Sequence, residues 1–197
     1  PHFSPELRQK MGADAVRLAS SLGYVGAGTV EFILDSQDQY YFLEVNPRIQ
    51  VEHPVTEAVT GLDLVQLQLR IAAGEALTLN QESINARFSA ENATPGHINS
   101  GHAIEVRICA EDPGLNLAPV SGTLARWEVP AQVRVDSGVV SGAWIGTDYD
   151  SLLAKLIVFA PTREQAFQQL RRALSQTVAL GLPSNLPFLQ ALCESEE

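Results

Sequence analysis

Glu31, Glu44, Asn46, Arg48, Gln50 and Glu52 crowd into one short stretch, and their types suit one kind of chemistry. Glu31 lies in an apolar run with Val30, Phe32, Ile33 and Leu34; Glu44 and Asn46 lie in a second run that begins at Tyr40. Strand side chains alternate, so Phe42, Glu44 and Asn46 are expected on one face. Asp35-Ser36-Gln37-Asp38-Gln39 reads as the turn between the runs. A hairpin loop of about four residues sets Glu31 directly across from Glu44. Like charges so placed destabilise a sheet. A carboxylate among Phe, Ile, Leu and Tyr is also costly without a counter-charge. A divalent cation resolves both problems. Two carboxylates with the amide oxygen of Asn46 make an all-oxygen set, which suits Mg2+ or Mn2+ and not zinc. The residues alone leave a second reading open, a solvated pair on an exposed strand face.

Between Thr29 and Val59, Arg48 is the one strong base beside Glu31, Asp35, Asp38, Glu44, Glu52 and Glu57. Such an arginine is either a salt-bridged structural residue or a fork that receives an oxyanion. Glu52, four residues on, suits a general base or a partner for Arg48 or His53. A metal-held phosphate, an arginine clamp and a nearby base are the parts of a phosphoryl- or carboxyl-transfer site. Arg107 follows Glu105 on the same face of a later run. It is either half of an intra-sheet ion pair or a second oxyanion binder. His53, His97 and His102 read as structural, and Asp150 and Lys155 as a local ion pair.

The elements that must hold these residues follow from spacing. Ser4-Pro5-Glu6 opens a helix with a serine cap and a proline in the first turn. Leu7, Met11, Ala15, Leu18 and Leu22 give it one apolar face, and Gly23 closes it. After the hairpin, 56–60 reads as a short helical piece. Asp63 caps a helix carrying Val65, Leu67, Leu69 and Ile71, expected to be covered on more than one side and to end near Gly74. Residues 78–100 turn polar, with a turn at Thr94-Pro95-Gly96, and read as a linker. From Gly101 the pattern is β: 103–109, 123–129, 133–135 and 152–159. Thr162-Arg163-Glu164-Gln165 fits a capping box for a helix with Ala166, Phe167, Leu170, Leu174 and Val178 inward and Gly181 at its end.

The totals narrow the class. The 197 residues carry a net charge of −10, which argues against nucleic acid or an anionic membrane as the main partner. A hydrophobic share of 45% and a charged share of 18% describe a folded globular protein. No apolar run reaches the length of a membrane span. Cys109 and Cys193 lack metal-type spacing, which makes a reducing compartment the expectation, cytoplasmic with mitochondrial left open. The chain starts without Met, directly in a helix, and reads as a piece of something longer.

The run Glu44-Val45-Asn46-Pro47-Arg48-Ile49-Gln50-Val51-Glu52-His53-Pro54-Val55-Thr56-Glu57 resembles the central motif of biotin carboxylase, the ATP-grasp component of biotin-dependent carboxylases. The likeness continues through Gly61-Leu62-Asp63-Leu64-Val65, Arg70-Ile71-Ala72-Ala73-Gly74, the run from Gly101 to Pro113, and Tyr149-Asp150-Ser151-Leu152-Leu153-Ala154-Lys155-Leu156. The carbamoyl-phosphate synthetase family shares the Glu-x-Asn-Pro-Arg core but not the Gln-Val-Glu-His-Pro continuation. The implied fold is α+β: the C-terminal half of an ATP-grasp domain, an antiparallel sheet with helices, at 1–77, a linker at 78–100, and a biotin carboxylase C-terminal α/β domain at 101–197.

The resemblance also implies roles. Glu31, Glu44 and Asn46 hold Mg2+ or Mn2+ against the ATP phosphates. Arg48, Gln50 and the backbone of Val51 hold bicarbonate. Glu52 deprotonates bicarbonate, which attacks the γ-phosphate and gives carboxyphosphate. Arg107 binds the ureido oxygen of biotin and stabilises its enolate. Implied partners are a biotin carboxyl carrier domain, a carboxyltransferase component and a second copy in a homodimer. The chain departs from the family in three places. The glycine-rich phosphate loop and adenine contacts are absent, Val129-Pro130-Ala131-Gln132 replaces a glycine-rich turn, and 86–100 is longer than typical. The expectation is a piece that is catalytically silent by itself. The rival readings are a non-catalytic module kept for assembly or dimerisation and another ATP-grasp ligase.

Overall fold

The computed structural model describes residues 4–85 and 101–195. In chain order the elements are α1 (Pro5–Ser21), β1 (Thr29–Leu34), β2 (Tyr40–Asn46), α2 (His53–Thr60), α3 (Leu64–Ala72), α4 (Gln81–Asn85), β3 (His102–Cys109), β4 (Glu111–Asp112), β5 (Ala118–Pro119), β6 (Gly122–Thr123), β7 (Arg126–Glu128), β8 (Arg134–Ser137), β9 (Trp144–Ile145), β10 (Leu152–Ala160), α5 (Arg163–Gln176), β11 (Val178–Leu180) and α6 (Leu186–Glu194). Contacts divide them into two units, Pro1–His53 with Asp63–Asn80, and Pro54–Leu62 with Gln81–Glu197. The linker expected at 78–100 begins with helix α4, and its turn at Thr94-Pro95-Gly96 and His97 lie outside the described residues. Antiparallel sheets with helices are present as expected. No described helix is long and apolar enough to cross a membrane.

In the first unit, Ser4 caps α1 by accepting from the Leu7 amide at 3.1 Å. The helix lies on the β1–β2 hairpin, where Arg8, Met11, Gly12 and Ala15 line one cavity with Val30 and Phe32. Tyr40 fastens the two layers. Its hydroxyl donates to Asp14 at 2.6 Å, and its ring meets Phe32 edge-on at 5.3 Å. The tyrosine hydroxyl in turn holds the Asp14 carboxyl below its usual range. Leu22 lies past the helix end and is 71% exposed, so it does not extend the apolar face. Asp63 caps α3 through the Gln66 amide at 2.8 Å. Its inward residues are Leu64, Leu67, Gln68 and Ile71, while Val65 and Leu69 face outward. The expected set 65, 67, 69 and 71 followed a two-residue step that a 3.6-residue helix does not keep, and α3 holds no fully buried residue.

The second unit carries the main core. β10 is the middle strand of the β3-β10-β8 sheet. Leu156 on β10, Ile108 on β3, Leu124, and Leu170 and Leu174 on α5 are at most 1% exposed. Thr162 caps α5 by accepting from the Gln165 amide at 3.2 Å. The run expected as one strand over 123–129 divides into β6 and β7, which pair with β9 and β11. Val178 is not on α5: the helix stops at Gln176, and Val178 opens β11 opposite Glu128. Gly181 therefore ends a strand and not a helix. Its φ is +109°, and a β-carbon there collides with the Thr123 carbonyl and the Ala125 amide.

Candidate functional site

The β1–β2 register places Glu31 opposite Glu44, as the hairpin reading requires, but by another route. The Asp35–Gln39 turn has five residues, and the Asp35 carboxylate closes it by accepting from the Gln37 and Gln39 amides at 2.8 and 2.9 Å. A shift between Glu31 and Phe32 leaves Leu43 as an extra residue, so Phe42 pairs with Phe32 while Glu44 pairs with Glu31. Glu31 and Phe32 are neighbours and point to opposite faces. Phe42 and Glu44 therefore do so too, which corrects the shared face expected from alternation. The bulge re-aims Glu44 and leaves Phe42 and Leu43 each 57% exposed.

One chain of hydrogen bonds then ties five of the expected residues of this unit together, Glu31, Glu44, Asn46, Arg48 and Gln50, without Val51 and Glu52. The Asn46 amide nitrogen donates to Glu31 Oε1 at 2.8 Å and to Glu44 Oε1 at 3.3 Å. Gln50 Nε2 donates to the same Glu31 oxygen at 3.3 Å. Arg48 Nη2 donates to Asn46 Oδ1 at 3.1 Å, and its Nη1 to the Ile49 carbonyl at 3.3 Å. The two carboxylates share one amide nitrogen, so their Oε1 atoms lie no further apart than those two bonds laid end to end. The second oxygen of each takes no protein donor among the described residues. Arg48 has no carboxylate partner among them either, so the salt-bridged reading of it is set aside.

This donor set fits a hard cation. It offers carboxylate oxygens on facing strands, with an amide between them, and leaves further coordination positions for phosphate oxygens and water, as Mg2+ prefers. No group of three His, Cys, Asp or Glu able to hold a metal occurs among the described residues. The loop continues through half-buried Val51 and exposed Glu52 into α2, whose His53 amide donates to the Gln50 carbonyl at 3.2 Å.

Arg107 stands on β3 of the second unit, exposed, two residues from half-buried Glu105. What fixes its strand was not visible in the spacing. Asn185, 8% exposed, lies along the open edge of β3. Its Oδ1 accepts from the Cys109 amide and its Nδ2 donates to the Arg107 carbonyl, both at 2.9 Å. The Asn185 amide also donates to the Cys109 carbonyl at 3.1 Å. Burial, ahead of the Glu111 charge, pushes the Cys109 thiol up, so it stays a neutral wall of this edge.

A second cluster was also missed. Arg134 donates to Glu57 at 2.7 Å and grips Asp136 with two bonds of 2.9 Å. Lys155 reaches Asp136 at 3.4 Å, across the β10–β8 pairing. The ion pair expected between Asp150 and Lys155 is not formed, because Asp150 turns back to the Leu152 amide at 2.8 Å. The Arg134 bond, larger than the cost of burial, holds the Asp136 carboxyl below its usual range. Asp136, ahead of Glu57, keeps the Arg134 guanidinium protonated. A usable signal was present: Arg134 and Asp136 share a strand face by alternation.

Comparison with known proteins adds the following. Residues 1–80 match the family described as carbamoyl-phosphate synthase L chain, ATP binding domain, and residues 105–197 match the biotin carboxylase C-terminal domain. The alpha subunit of mitochondrial methylcrotonoyl-CoA carboxylase of Mus musculus is 47% identical over 98% of this chain and 25% of its own length. Biotin carboxylase of Nostoc sp. is 44% identical over 100% of this chain and 42% of its own. A solved biotin carboxylase domain of a thermophilic 2-oxoglutarate carboxylase, bound to bicarbonate, superposes with a TM-score of 0.87 at 42% identity, over 98% of this chain and 41% of that one. The corresponding Hydrogenobacter thermophilus domain, a dimer with MgADP, ADP and bicarbonate, gives 0.86 at 42% identity, over 98% of this chain and 40% of that one. The chain thus spans between a quarter and about two-fifths of the length of these relatives.

Proposed function

The chain belongs to the biotin carboxylase family, and from that premise we propose that it is part of an enzyme that carboxylates biotin on a carrier domain. The reaction is ATP + bicarbonate + biotinyl carrier → ADP + phosphate + carboxybiotinyl carrier, through carboxyphosphate. The observation that supports this reading is the bonded chain from Gln50 through Glu31 and Asn46 to Arg48, with Glu44 bonded to the same Asn46 amide. It is an acidic pair held by neutral amides, with a guanidinium beside it that no carboxylate takes among the described residues.

Mg2+ bound there neutralises charge on the nucleotide phosphates. Glu31 and Glu44 orient it from facing strands. Arg48 and Gln50 present N–H donors to bicarbonate, and the Val51 backbone adds a further contact. Glu52, exposed at the mouth of the loop, takes the bicarbonate proton as general base. Arg107, on a strand braced by Asn185, offers its guanidinium to the ureido oxygen of biotin. A carrier domain, a carboxyltransferase and a second copy are the partners that follow, and a reducing compartment such as the cytoplasm is the location.

The test is ADP release by the whole enzyme with free biotin, with and without bicarbonate. Release that depends on bicarbonate, and that falls sharply in Arg48→Ala and Glu44→Gln, is expected. ADP formation indifferent to bicarbonate overturns the reading in favour of another ATP-grasp ligase.

A further inference from the structure

Asn46 uses both ends of its side chain, and its neighbours dictate which end faces which. Its Nδ2 meets two carboxylate oxygens and its Oδ1 meets a guanidinium N–H. The reversed amide would set Oδ1 against both carboxylates and Nδ2 against a donor, so every contact would turn repulsive. A cation between Glu31 and Glu44 inverts these preferences. The NH2 group presents hydrogens to the ion and cannot stay, whereas Oδ1 can ligate it. Turning Oδ1 to the ion takes the acceptor away from Arg48 Nη2 and faces it with a donor.

The geometry points to Asn46 as a positioning residue that couples the two halves of the site: when the divalent cation arrives its amide reverses, and Arg48 is released to receive bicarbonate. This rests on the function proposed above. Before the ion arrives Arg48 is folded back on Asn46 and on the Ile49 carbonyl, so bicarbonate must compete with those bonds. Afterwards it competes with one fewer. By linkage, bicarbonate on Arg48 must tighten the metal by the same factor.

The test uses the whole enzyme and two binding measurements. One is 13C-bicarbonate affinity in ADP with and without Mn2+; the other is free Mn2+ by electron paramagnetic resonance with and without bicarbonate. Mn2+ is expected to tighten bicarbonate by about tenfold, and bicarbonate to tighten Mn2+ equally. In Asn46→Ala the side-chain clamp on Arg48 is gone and only the Ile49 carbonyl still holds it. Bicarbonate then binds more tightly than in the native enzyme when Mn2+ is absent, and Mn2+ adds no more than about twofold, from direct charge attraction. In Asn46→Asp one carboxylate oxygen can ligate Mn2+ while the other keeps Arg48. Mn2+ still binds, and bicarbonate stays weak with or without it. Native bicarbonate affinity indifferent to Mn2+, or weaker metal-free bicarbonate binding in Asn46→Ala, overturns the coupling and leaves the proposed function standing. Mn2+ binding that ignores Glu31→Gln and Glu44→Gln overturns the proposed function, and the coupling with it.

Discussion

Replacing Asn185 with alanine tests how Arg107 is held. The asparagine side chain stands in for a strand on the open edge of β3, accepting from the Cys109 amide and donating to the Arg107 carbonyl at 2.9 Å each. Alanine leaves both backbone groups without that partner. Cys109 is 8% exposed, so its orphaned N–H costs a largely desolvated donor, about 2 kcal/mol. The bond to the Arg107 carbonyl is only part-buried, so that loss is nearer 1 kcal/mol. A total of about 3 kcal/mol lowers the Tm of the second unit by about 10 °C. Asn185→Asp keeps the acceptor for Cys109 but aims a carboxylate oxygen at the Arg107 carbonyl, and is expected to do no better.

Calorimetry on the chain reads the stability loss, and kinetics on the whole enzyme reads the positioning. Well below the Tm of Asn185→Ala, KM for free biotin should rise, because Arg107 rides on the loosened strand. The kcat for bicarbonate-dependent ADP release should change little, since Asn185 touches none of the residues assigned to ATP and bicarbonate. A Tm shift under about 3 °C would mean that water replaces the edge bonds at little cost. An unchanged KM for biotin would mean that the edge bonds do not govern Arg107, and either result refutes the reasoning.

Glu44→Gln removes one of two like charges opposite each other on the hairpin. The variant is expected to gain about 0.5 kcal/mol in denaturant unfolding while Mn2+ binding, followed by paramagnetic resonance, collapses. Arg134→Ala takes the guanidinium from Glu57, whose side chain is 8% exposed. Arg134 itself is 42% exposed, so the full buried-pair penalty is discounted to about 2 kcal/mol, read from the urea midpoint. The depressed Asp136 carboxyl contributes stability that is fully present above the ordinary Asp value near pH 4 and is lost as pH falls through its lower folded value. The urea midpoint should therefore fall in acid below that point and stay flat, as far as Asp136 is concerned, from pH 6 to 8. In Arg134→Ala this acid contribution should be smaller.

Where the sequence was legible, a local rule and the tertiary answer agreed. Ser4, Asp63 and Thr162 each cap the helix their chemistry announces. The β runs expected at 103–109 and 152–159 match β3 and β10 to within a residue at their ends. The agreement failed where a second element decided. The α3 face was misread because an every-second-residue count was laid on a helix. Val178 was carried into α5 because an apolar residue four past Leu174 fits a helix as well as a strand, and only the pairing with β7 decides. The five-residue turn closed by Asp35 and the Leu43 bulge beyond Phe32 together set the register, and no hydrophobic pattern records either. Asn185 and the Arg134 cluster went unread for a related reason. The partners of Asn185 and the Glu57 partner of Arg134 lie 76 to 78 residues away, and spacing carries no signal at that range; only the Arg134–Asp136 pair, two residues apart, left one.

The placement of Arg48 argues against a merely tolerated pair of glutamates. A hairpin with Glu31 facing Glu44 gains most by seating a cationic side chain between them, since opposite charges on facing strands stabilise where like charges do the reverse. A guanidinium stands one residue away from the pair: its Nη2 bonds the Asn46 side chain whose own nitrogen bonds both carboxylates. The chain nevertheless uses neutral amides at the pair and keeps its arginine on the far side of Asn46. Amides satisfy hydrogen bonding without bringing a counter-charge, and the second oxygen of each carboxylate takes no donor among the described residues. Such an arrangement costs stability in the empty chain and gains it when a small, hard cation enters. The same separation preserves the guanidinium for an anion. The proposed site, which would hold a cation and an anion side by side, has to keep its own opposite charges from neutralising each other first, and Asn46 stands between them.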